Sequence, residues 1–469
     1  MKPRLSPKAR VRKDPRDGAP VLLSPERGLR LSETAAATLE LCDGMRTVDG
    51  IVDALAARYP GAERSRIARD VLTLLSDLRR RALIETSAPS DPSPSSREGE
   101  PNATGVGGGP SAVPEGEVYT LVAELTHRCP LACPYCSNPN DLVRAHDELR
   151  TDEWQRVLDE AASLGVMQMH LTGGEPLARS DLEIIAAHAR SLDLYVNLVT
   201  SGLPLDRARL ERLAPSLDHV QLSVQDADPA SSDRIAGTVS FEAKVRVARW
   251  VKELGLPLTL NVVLHRSNLD RVEEVVAMAE QLAADRLELA NVQLVSWAHR
   301  NVSALLPTRA QIERARTVAQ AASRRLEGRM EVVFVLPDWH ADRPRACMDG
   351  WGRRFVVVAP DGVVLPCHAA RALPLAFAGV RGGSLASAWR EAPGMQAFRG
   401  ESWMPEPCKS CDRRSLDHGG CRCQAFALTG DLRATDPACG LAPQHALVRA
   451  ARDDAERDAS RTWIYRGRG

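Results

Sequence analysis

The placement of the cysteines constrains this chain more than any other feature of its sequence. Ten of the eleven cysteines fall into two groups: Cys129, Cys133 and Cys136 lie close together, and seven more lie between Cys347 and Cys439. Such groups would form disulfides in a secreted protein, but the N-terminus carries no apolar signal core. We therefore expect a cytoplasmic protein whose clustered cysteines are metal ligands.

The overall charge of the chain gives no indication of a highly charged partner. Lys plus Arg and Asp plus Glu both total 61 in 469 residues, so the formal net charge is zero. This balance favours neither nucleic acid nor an anionic membrane as a partner. No apolar run approaches the roughly 18 residues that a membrane-spanning helix needs. The length suits two or three domains.

Residues 88–116 are rich in Pro, Gly and Ser and contain almost no bulky apolar residue, which predicts a flexible linker. Before it, Val21–Leu23 and Leu29–Leu31 flank a turn-rich stretch and predict a hairpin. Three amphipathic helices are expected after the hairpin. This combination is typical of a small winged-helix-like α+β domain, so DNA binding is one alternative, although no helix carries a basic stripe.

From Tyr119 onward, predicted strands alternate with predicted helices. The strands are expected at Tyr119–Leu125, Met167–Leu171, Leu194–Thr200, His219–Val224 and Pro257–Leu264. Repeated βα units imply an α/β fold with a parallel sheet, either open or closed into a barrel. Active sites in such folds lie at the C-terminal ends of the strands.

Two motifs fall at such strand ends. Cys129-Pro-Leu-Ala-Cys133-Pro-Tyr-Cys136 follows the first strand, and three thiolates at this spacing can hold three irons of a [4Fe–4S] cluster. The fourth iron would stay open to a small molecule. Zinc is the alternative, but zinc ligands usually come in CxxC pairs. Gly173-Gly174-Glu175 follows the second strand, where glycines allow close backbone approach and a carboxylate can hold an ammonium group.

A CxxxCxxC loop followed one βα unit later by Gly-Gly-Glu resembles the radical S-adenosylmethionine (SAM) superfamily, over about residues 118–320. The resemblance implies a partial (β/α)6 barrel in which the open iron binds SAM. One electron then cleaves SAM, and the resulting 5′-deoxyadenosyl radical removes a hydrogen from an unactivated carbon. Besides the Gly-Gly-Glu loop, later strand ends supply candidate SAM contacts, for which ordinary strand-end capping is the alternative: Ser201, Ser223, Gln225 and Asn261.

The C-terminal group offers seven thiolates and one carboxylate, enough for two fully ligated clusters. Its members are Cys347, Cys367, Cys408, Cys411, Asp417, Cys421, Cys423 and Cys439. The group resembles the SPASM domain, which carries two auxiliary iron–sulfur clusters behind a radical SAM barrel. Asp417 stands where the SPASM pattern CxxCx5Cx3C has its third cysteine. An aspartate oxygen is a harder donor than a thiolate, so its cluster is expected to be more labile or shifted in potential.

The variant pattern CxxCx5Dx3CxC resembles the PqqA peptide cyclase family of pyrroloquinoline quinone (PQQ) biosynthesis, as does Val220–Pro229. Val21–Pro25, Leu31–Ala35 and Leu41–Gly44 resemble the PqqD peptide chaperone. The resemblance therefore implies a natural fusion of chaperone and cyclase. By analogy with the family, one auxiliary cluster is expected on Cys408, Cys411, Asp417 and Cys439. The other is expected on Cys347, Cys367, Cys421 and Cys423.

The expected organisation is a PqqD-like domain at 1–87, the linker, the barrel at 117–325, a SPASM domain at 326–445, and a charged tail at 446–469 packed as a surface helix. The resemblance implies a carbon–carbon cross-link between a glutamate and a tyrosine of the PqqA precursor, with flavodoxin or ferredoxin as electron donor.

One segment departs from the cyclase pattern. Leu294–Ser296 stands where the cyclases carry aromatic residues, close to the expected substrate cavity. A different peptide or protein substrate is therefore one alternative. A zinc-stabilised scaffold without catalytic activity is another.

Overall fold

The computed structural model describes residues 2–25, 27–86, 118–457 and 462–467. The linker predicted at 88–116 lies outside these residues. The described part of the chain forms a small N-terminal module and a large, mostly parallel sheet flanked by helices. Within that part, no helix combines the length and the apolar character that crossing a bilayer requires.

Residues 2–25 and 27–86 form the N-terminal module, which has two small sheets and three helices. Its strands are β1 Pro3–Leu5, β2 Arg10–Lys13, β3 Pro20–Ser24, β4 Arg27–Arg30 and β5 Ile84–Thr86. Its helices are α1 Glu33–Glu40, α2 Val48–Arg58 and α3 Arg64–Arg80. β2, β3 and β4 pair antiparallel in that order, and β1 pairs with β5. Ser32 and Thr47 cap α1 and α2 by accepting backbone N–H bonds, which explains where these helices begin.

The large sheet has the order β12-β11-β10-β9-β8-β7-β6-β13-β14 among the described residues, and only β13 and β14 pair antiparallel. Its strands are β6 Thr120–Thr126, β7 Gln168–Gly173, β8 Tyr195–Thr200, β9 His219–Ser223, β10 Leu258–Leu264, β11 Arg286–Asn291, β12 Glu331–Phe334, β13 Phe355–Val358 and β14 Val364–Leu365. From β6 to β12 the strands follow chain order, so each βα unit adds its strand beside the previous one. This is the fold class that the sequence predicts, with β12 and β13 extending the two sides of the six-stranded core.

Helices pack their apolar faces against this sheet. Those between β6 and β12 are α4 Thr151–Ser163, α5 Leu182–Ser191, α6 Arg207–Leu213, α7 Pro229–Ala236, α8 Phe241–Glu253, α9 Val272–Gln281, α10 Ser296–Arg300, α11 Val302–Leu305 and α12 Arg309–Arg325. After β14 come α13 Leu385–Glu391, α14 Pro393–Gln396, α15 Arg414–Asp417, α16 Arg422–Thr429 and α17 His445–Arg457. In α4, for example, Trp154, Val157, Leu158 and Ala161 repeat at helical spacing and are fully buried in the main core.

The N-terminal module docks at the base of the sheet, where its parallel strands begin. Strand β3 is apolar on both faces: Leu22 packs into the core of its own module, whereas Val21 and Leu23 face away from it. These two residues form a cluster with Tyr119 and Met167, which immediately precede β6 and β7, and with Tyr195, the first residue of β8. The Tyr195 hydroxyl donates to the Lys8 carbonyl oxygen at 2.9 Å. The module therefore lies opposite the end where the strands terminate.

This alternation predicts different effects for two neighbouring substitutions. Leu23→Asp would bury an unpaired carboxylate against the barrel base and should undock the module while α1 to α3 stay folded. Leu22→Asp would place the same charge inside the module and unfold it, at a cost on the order of 3 kcal/mol. Hydrogen–deuterium exchange on the full chain measures both effects. Equal loss of protection in α1 to α3 for the two variants would contradict the assignment of the faces.

Candidate active site

The first cysteine group lies in the loop that follows β6. Cys133 is buried, and Cys129 and Cys136 are partly exposed. Burial raises the pKa of Cys129 to about 12 and that of Cys136 to about 11, because a thiolate loses its hydration there. A metal would take the place of the proton on each sulfur. Three soft thiols from one loop suit an iron–sulfur cluster bound through three of its irons.

The Gly-Gly-Glu loop packs its backbone directly on the start of the cysteine loop. The Gly174 N–H donates to the Thr126 carbonyl at 2.6 Å, and the Glu175 N–H donates to the Arg128 carbonyl at 2.8 Å. Gly173 has a φ of +122°, and a Cβ on it would lie 2.3 Å from the Thr126 oxygen. A Cβ on Gly174 would lie 2.5 Å from the Arg128 oxygen. Only glycine fits at both positions, so the two motifs form one structural unit.

The Glu175 carboxylate ties this unit to the end of β8. It is fully buried and accepts bonds from the Thr200 hydroxyl at 2.6 Å, the Ser201 N–H at 2.7 Å, the Ser201 hydroxyl and the Leu177 N–H. A carboxylate offers about four acceptor positions, and these donors use them. SAM binding by Glu175 and Ser201 stays a prediction. In the structure, their side chains hold two loops together.

Ser223 and Asn261 lie side by side on β9 and β10. Both are half-buried, whereas Leu222 and Val262, which point to the opposite face, are fully buried. Side chains alternate along a strand, so Ser223 lies on the same face of β9 as His219, and Asn261 lies on the same face of β10 as Thr259. The His219 Nε2 lies 2.8 Å from the Thr259 hydroxyl, which shows that these two faces meet. Ser223 and Asn261 therefore line the barrel interior at the end where the cysteine loop lies.

Gln225 follows Ser223 by two residues and is buried. Its side-chain oxygen accepts a bond from the Lys244 ammonium, and Tyr135, between two of the loop cysteines, also bonds to the Gln225 side chain. Lys244 is fully buried, and burial lowers its pKa to about 8. We did not expect Lys244 at the site, although it lies on the apolar face of α8, three residues after Phe241. A lysine among the apolar residues of a helix face is the sequence signal that could have indicated a functional role for Lys244.

The end of the chain corrects one expectation. A surface helix was expected for the tail, and α17 satisfies it, but residues 462–467 are not helical and contact the cysteine loop. Arg466 is only 3% exposed. Its backbone N–H donates to the Ala132 carbonyl at 3.1 Å, and its guanidinium donates to the His127 carbonyl. No spacing pattern in the sequence links Arg466 to cysteines more than 300 positions earlier.

The C-terminal cysteines come together in two places. The Sγ atoms of Cys367 and Cys423 lie 3.8 Å apart, and Cys347 bonds to both Cys367 and Cys421. These four thiols therefore lie next to one another and form the first set of candidate cluster ligands. In the second place, four residues line one cavity together with Thr435 and Gly419: Cys408, Cys411, Asp417 and Cys439.

Asp417 is 8% exposed, and its carboxylate accepts the Gly419 N–H at 3.0 Å. The second set therefore offers three soft sulfurs and one hard oxygen. Among the described residues, no group of three or more His, Cys, Asp or Glu side chains is arranged to hold one metal ion. In an iron–sulfur cluster each protein ligand binds its own iron, so the ligands need not converge on one point. The donor chemistry of both sets suits such clusters.

Three family models match the chain. The radical SAM superfamily model matches residues 123–279, and the model described as coenzyme PQQ synthesis protein D (PqqD) matches residues 20–84. The SPASM model, an iron–sulfur cluster-binding domain, matches residues 347–412 and ends before Asp417. These matches confirm a radical SAM enzyme that carries PqqD and SPASM regions.

Solved structures confirm the fold class. SuiB from Streptococcus suis, bound to S-adenosylmethionine, aligns over 93% of this chain and 100% of its own, with a TM-score of 0.61 and 16% identity. The protein anSMEcpe with bound AdoMet covers 72% of this chain and 97% of its own, with a TM-score of 0.52 and 16% identity. At this identity the likeness concerns the fold alone.

The backbone contact between the two loops leads to a test. Gly174→Ala should displace the cysteine loop, because its Cβ has no room beside the Arg128 carbonyl, at a cost of about 1–3 kcal/mol. We expect less iron bound after anaerobic reconstitution and a lower melting temperature. Gly61→Ala is the matched control, since a Cβ there meets no atom within 4 Å. Wild-type iron content and melting temperature in Gly174→Ala would refute the tight contact.

Curated relatives are similar over most of the chain. The PqqA peptide cyclase of Granulibacter bethesdensis is 52% identical over 349 residues, which is 74% of this chain and 93% of the relative. The PqqA peptide cyclases of Streptomyces rochei and Gluconobacter oxydans are 53% and 50% identical and are covered over 92% and 97% of their lengths. The chain therefore belongs to the PqqA peptide cyclase family of radical SAM enzymes, and it carries a PqqD domain in the same polypeptide.

Proposed function

We propose that this enzyme acts on the PqqA precursor peptide in PQQ biosynthesis and joins a glutamate to a tyrosine through a carbon–carbon bond. The similarity to PqqA peptide cyclases over more than nine-tenths of their length is the observation that carries this proposal. The structure supports it with a cysteine loop and a Gly-Gly-Glu loop locked together where the barrel strands end.

In this proposal Cys129, Cys133 and Cys136 hold a [4Fe–4S] cluster whose fourth iron binds SAM. When bound, the cluster and SAM supply a carbon radical able to take a hydrogen from an unactivated C–H group. The protein contributes the rigid base: the Gly-Gly-Glu backbone holds the cysteine loop, and the Glu175 carboxylate fixes the adjoining strand end. The proposed SAM contacts are Gly173, Gly174, Glu175, Ser201, Ser223, Gln225 and Asn261. Because Thr200, Ser201 and Leu177 already donate to the Glu175 carboxylate, we propose that the Gly-Gly-Glu loop contacts SAM through its backbone.

The PqqD domain would bind the precursor by adding it as a strand to its three-stranded sheet, β2-β3-β4. Strands β2 and β4 are the two edges of that sheet, since each pairs only with β3 among the described residues. The domain docks at the base of the barrel, whereas the cysteine loop lies where the strands end. A strand of seven residues such as β6 spans roughly 23 Å. The bound precursor must therefore extend at least about that far to reach the site.

We also propose that the two C-terminal sets of ligands hold auxiliary clusters. When bound, such clusters supply electron transfer. Asp417 would make its own set the less symmetrical of the two, because it offers an oxygen where the others offer sulfur. A flavodoxin or a ferredoxin would serve as the external electron donor.

Mass spectrometry tests the reaction. The anaerobically reconstituted full chain, incubated with SAM, a reductant and PqqA, should yield a peptide that has lost two hydrogens, with a glutamate and a tyrosine linked in its fragments. Replacing all three loop cysteines by alanine should abolish this product and the formation of 5′-deoxyadenosine. Unchanged PqqA beside abundant 5′-deoxyadenosine would point to a different substrate. A colourless protein that contains zinc instead of iron would refute the enzymatic proposal.

The role of Asp417 has its own test. Asp417→Ala should lower the iron content by about one cluster, because one of four ligands is lost. Asp417→Cys should restore the iron and change the spectrum of that cluster. Asp453→Ala, at an exposed carboxylate of α17, is the control and should leave the iron content unchanged. Full iron content in Asp417→Ala would show that Asp417 is not a ligand.

A further inference from the structure

The last described segment of the chain, residues 462–467, is anchored onto the cysteine loop. Asn301, just after α10, forms the anchor: its Oδ1 accepts the Ile464 N–H at 2.7 Å, and its Nδ2 donates to the Ile464 carbonyl at 2.8 Å. The same Nδ2 donates to the carbonyl of Pro134, between two of the loop cysteines, at 2.9 Å. One buried amide thus connects the end of the chain to the loop.

Aromatic contacts hold the same segment from a second side. The Trp463 ring packs edge-on against His265 at 6.0 Å, and the Arg234 guanidinium lies 4.9 Å from the centre of the Trp463 ring. The Tyr465 hydroxyl donates to the Arg234 carbonyl at 2.9 Å. The segment is therefore fixed by residues 463–465, immediately before Arg466, and its position does not depend on the Arg466 side chain alone.

Arg466 is a buried cation with unused hydrogen-bonding capacity. Its guanidinium donates one bond to the His127 carbonyl, whereas its Nε and Nη1 atoms are buried and have no hydrogen-bond partner among the described residues. No carboxylate of those residues forms an ion pair with it. A buried guanidinium left in this state is costly, and native proteins compensate such charges. It lies close enough to Cys129, Cys133 and Cys136 for its positive charge to act on all three sulfur positions.

We propose that Arg466 is a positioning residue whose free guanidinium nitrogens bind the anionic sulfur atoms of the cluster held by the cysteine loop, and that residues 462–467 close this loop. The inference rests on the proposed function, since it requires that cluster. Three thiolates and the cluster sulfides carry negative charge, which increases on reduction. A fixed cation beside them stabilises the reduced form and raises its potential.

Two variants test the charge. Arg466→Gln removes it, and Arg466→Lys retains it without the planar fork. Both full-length variants are reconstituted anaerobically, and the midpoint potential is measured for the reduced-cluster paramagnetic signal that responds to SAM. We expect a lower potential in Arg466→Gln and a potential close to that of the wild type in Arg466→Lys. If neither variant bound iron, the charge of Arg466 would not be the property that the cluster depends on, and the proposal would be overturned.

A pair of truncations tests the closure. A chain ending after residue 461 lacks the segment, and a chain ending after Gly467 retains it. We expect the shorter chain to lose iron to a chelator on the order of ten-fold faster. Groups that hold metal ligands in place typically contribute at least that factor to metal affinity. Equal rates for the two chains would overturn the closure.

The outcomes separate this inference from the proposed function. A wild-type protein without a SAM-responsive cluster would refute the proposed function itself. A normal wild-type signal together with an unchanged potential in Arg466→Gln would refute only the role of Arg466. An unchanged potential with weaker SAM binding would assign the guanidinium to the SAM carboxylate and overturn its assignment to sulfur.

Discussion

The close approach of two backbones is the contact on which the site depends. The Gly-Gly-Glu loop lies so near the start of the cysteine loop that a methyl group on Gly173 or Gly174 would overlap a carbonyl oxygen. The parallel pairing of β6 with β7 brings the two loops to the same edge of the sheet. Glu175 then joins them to the end of β8. Three consecutive strands thereby hold one rigid platform.

Charge is the second constraint on this platform. Three thiols in a largely buried loop resist ionisation, as the raised pKa values of Cys129 and Cys136 show. Two buried cations face them from different parts of the chain, Lys244 from α8 and Arg466 from the C-terminal segment. Neither cation has a carboxylate partner in the described part of the chain. An anionic group bound at the loop would complete the electrostatic balance.

The PqqD domain occupies the opposite end of the barrel. Its strand β3 uses both faces, one for its own core and one for the barrel base. Domain and active site are therefore separated by the length of the barrel strands. In a fused protein this separation sets the reach required of a peptide held at one end and modified at the other. A chaperone that is a separate protein would not be held at this fixed distance from the active site.

Local signals in the sequence determined the elements and the first motif of the site. The apolar periodicities, the caps at Ser32 and Thr47, and the position of each motif after a strand depend on neighbouring residues only. Because parallel strands end at one edge, the cysteine and Gly-Gly-Glu loops had to meet. The spacing of the C-terminal cysteines indicated their kind of site, whereas their grouping followed from family resemblance.

Tertiary structure alone decided the rest. Cys347 meets Cys421 across more than 70 residues, and Arg466 reaches a loop more than 300 residues earlier. The bonds of Glu175 to Ser201 likewise arise only when two strand ends come together. No local pattern specifies which distant groups share a buried site, because burial and charge compensation act between side chains in space and not along the chain.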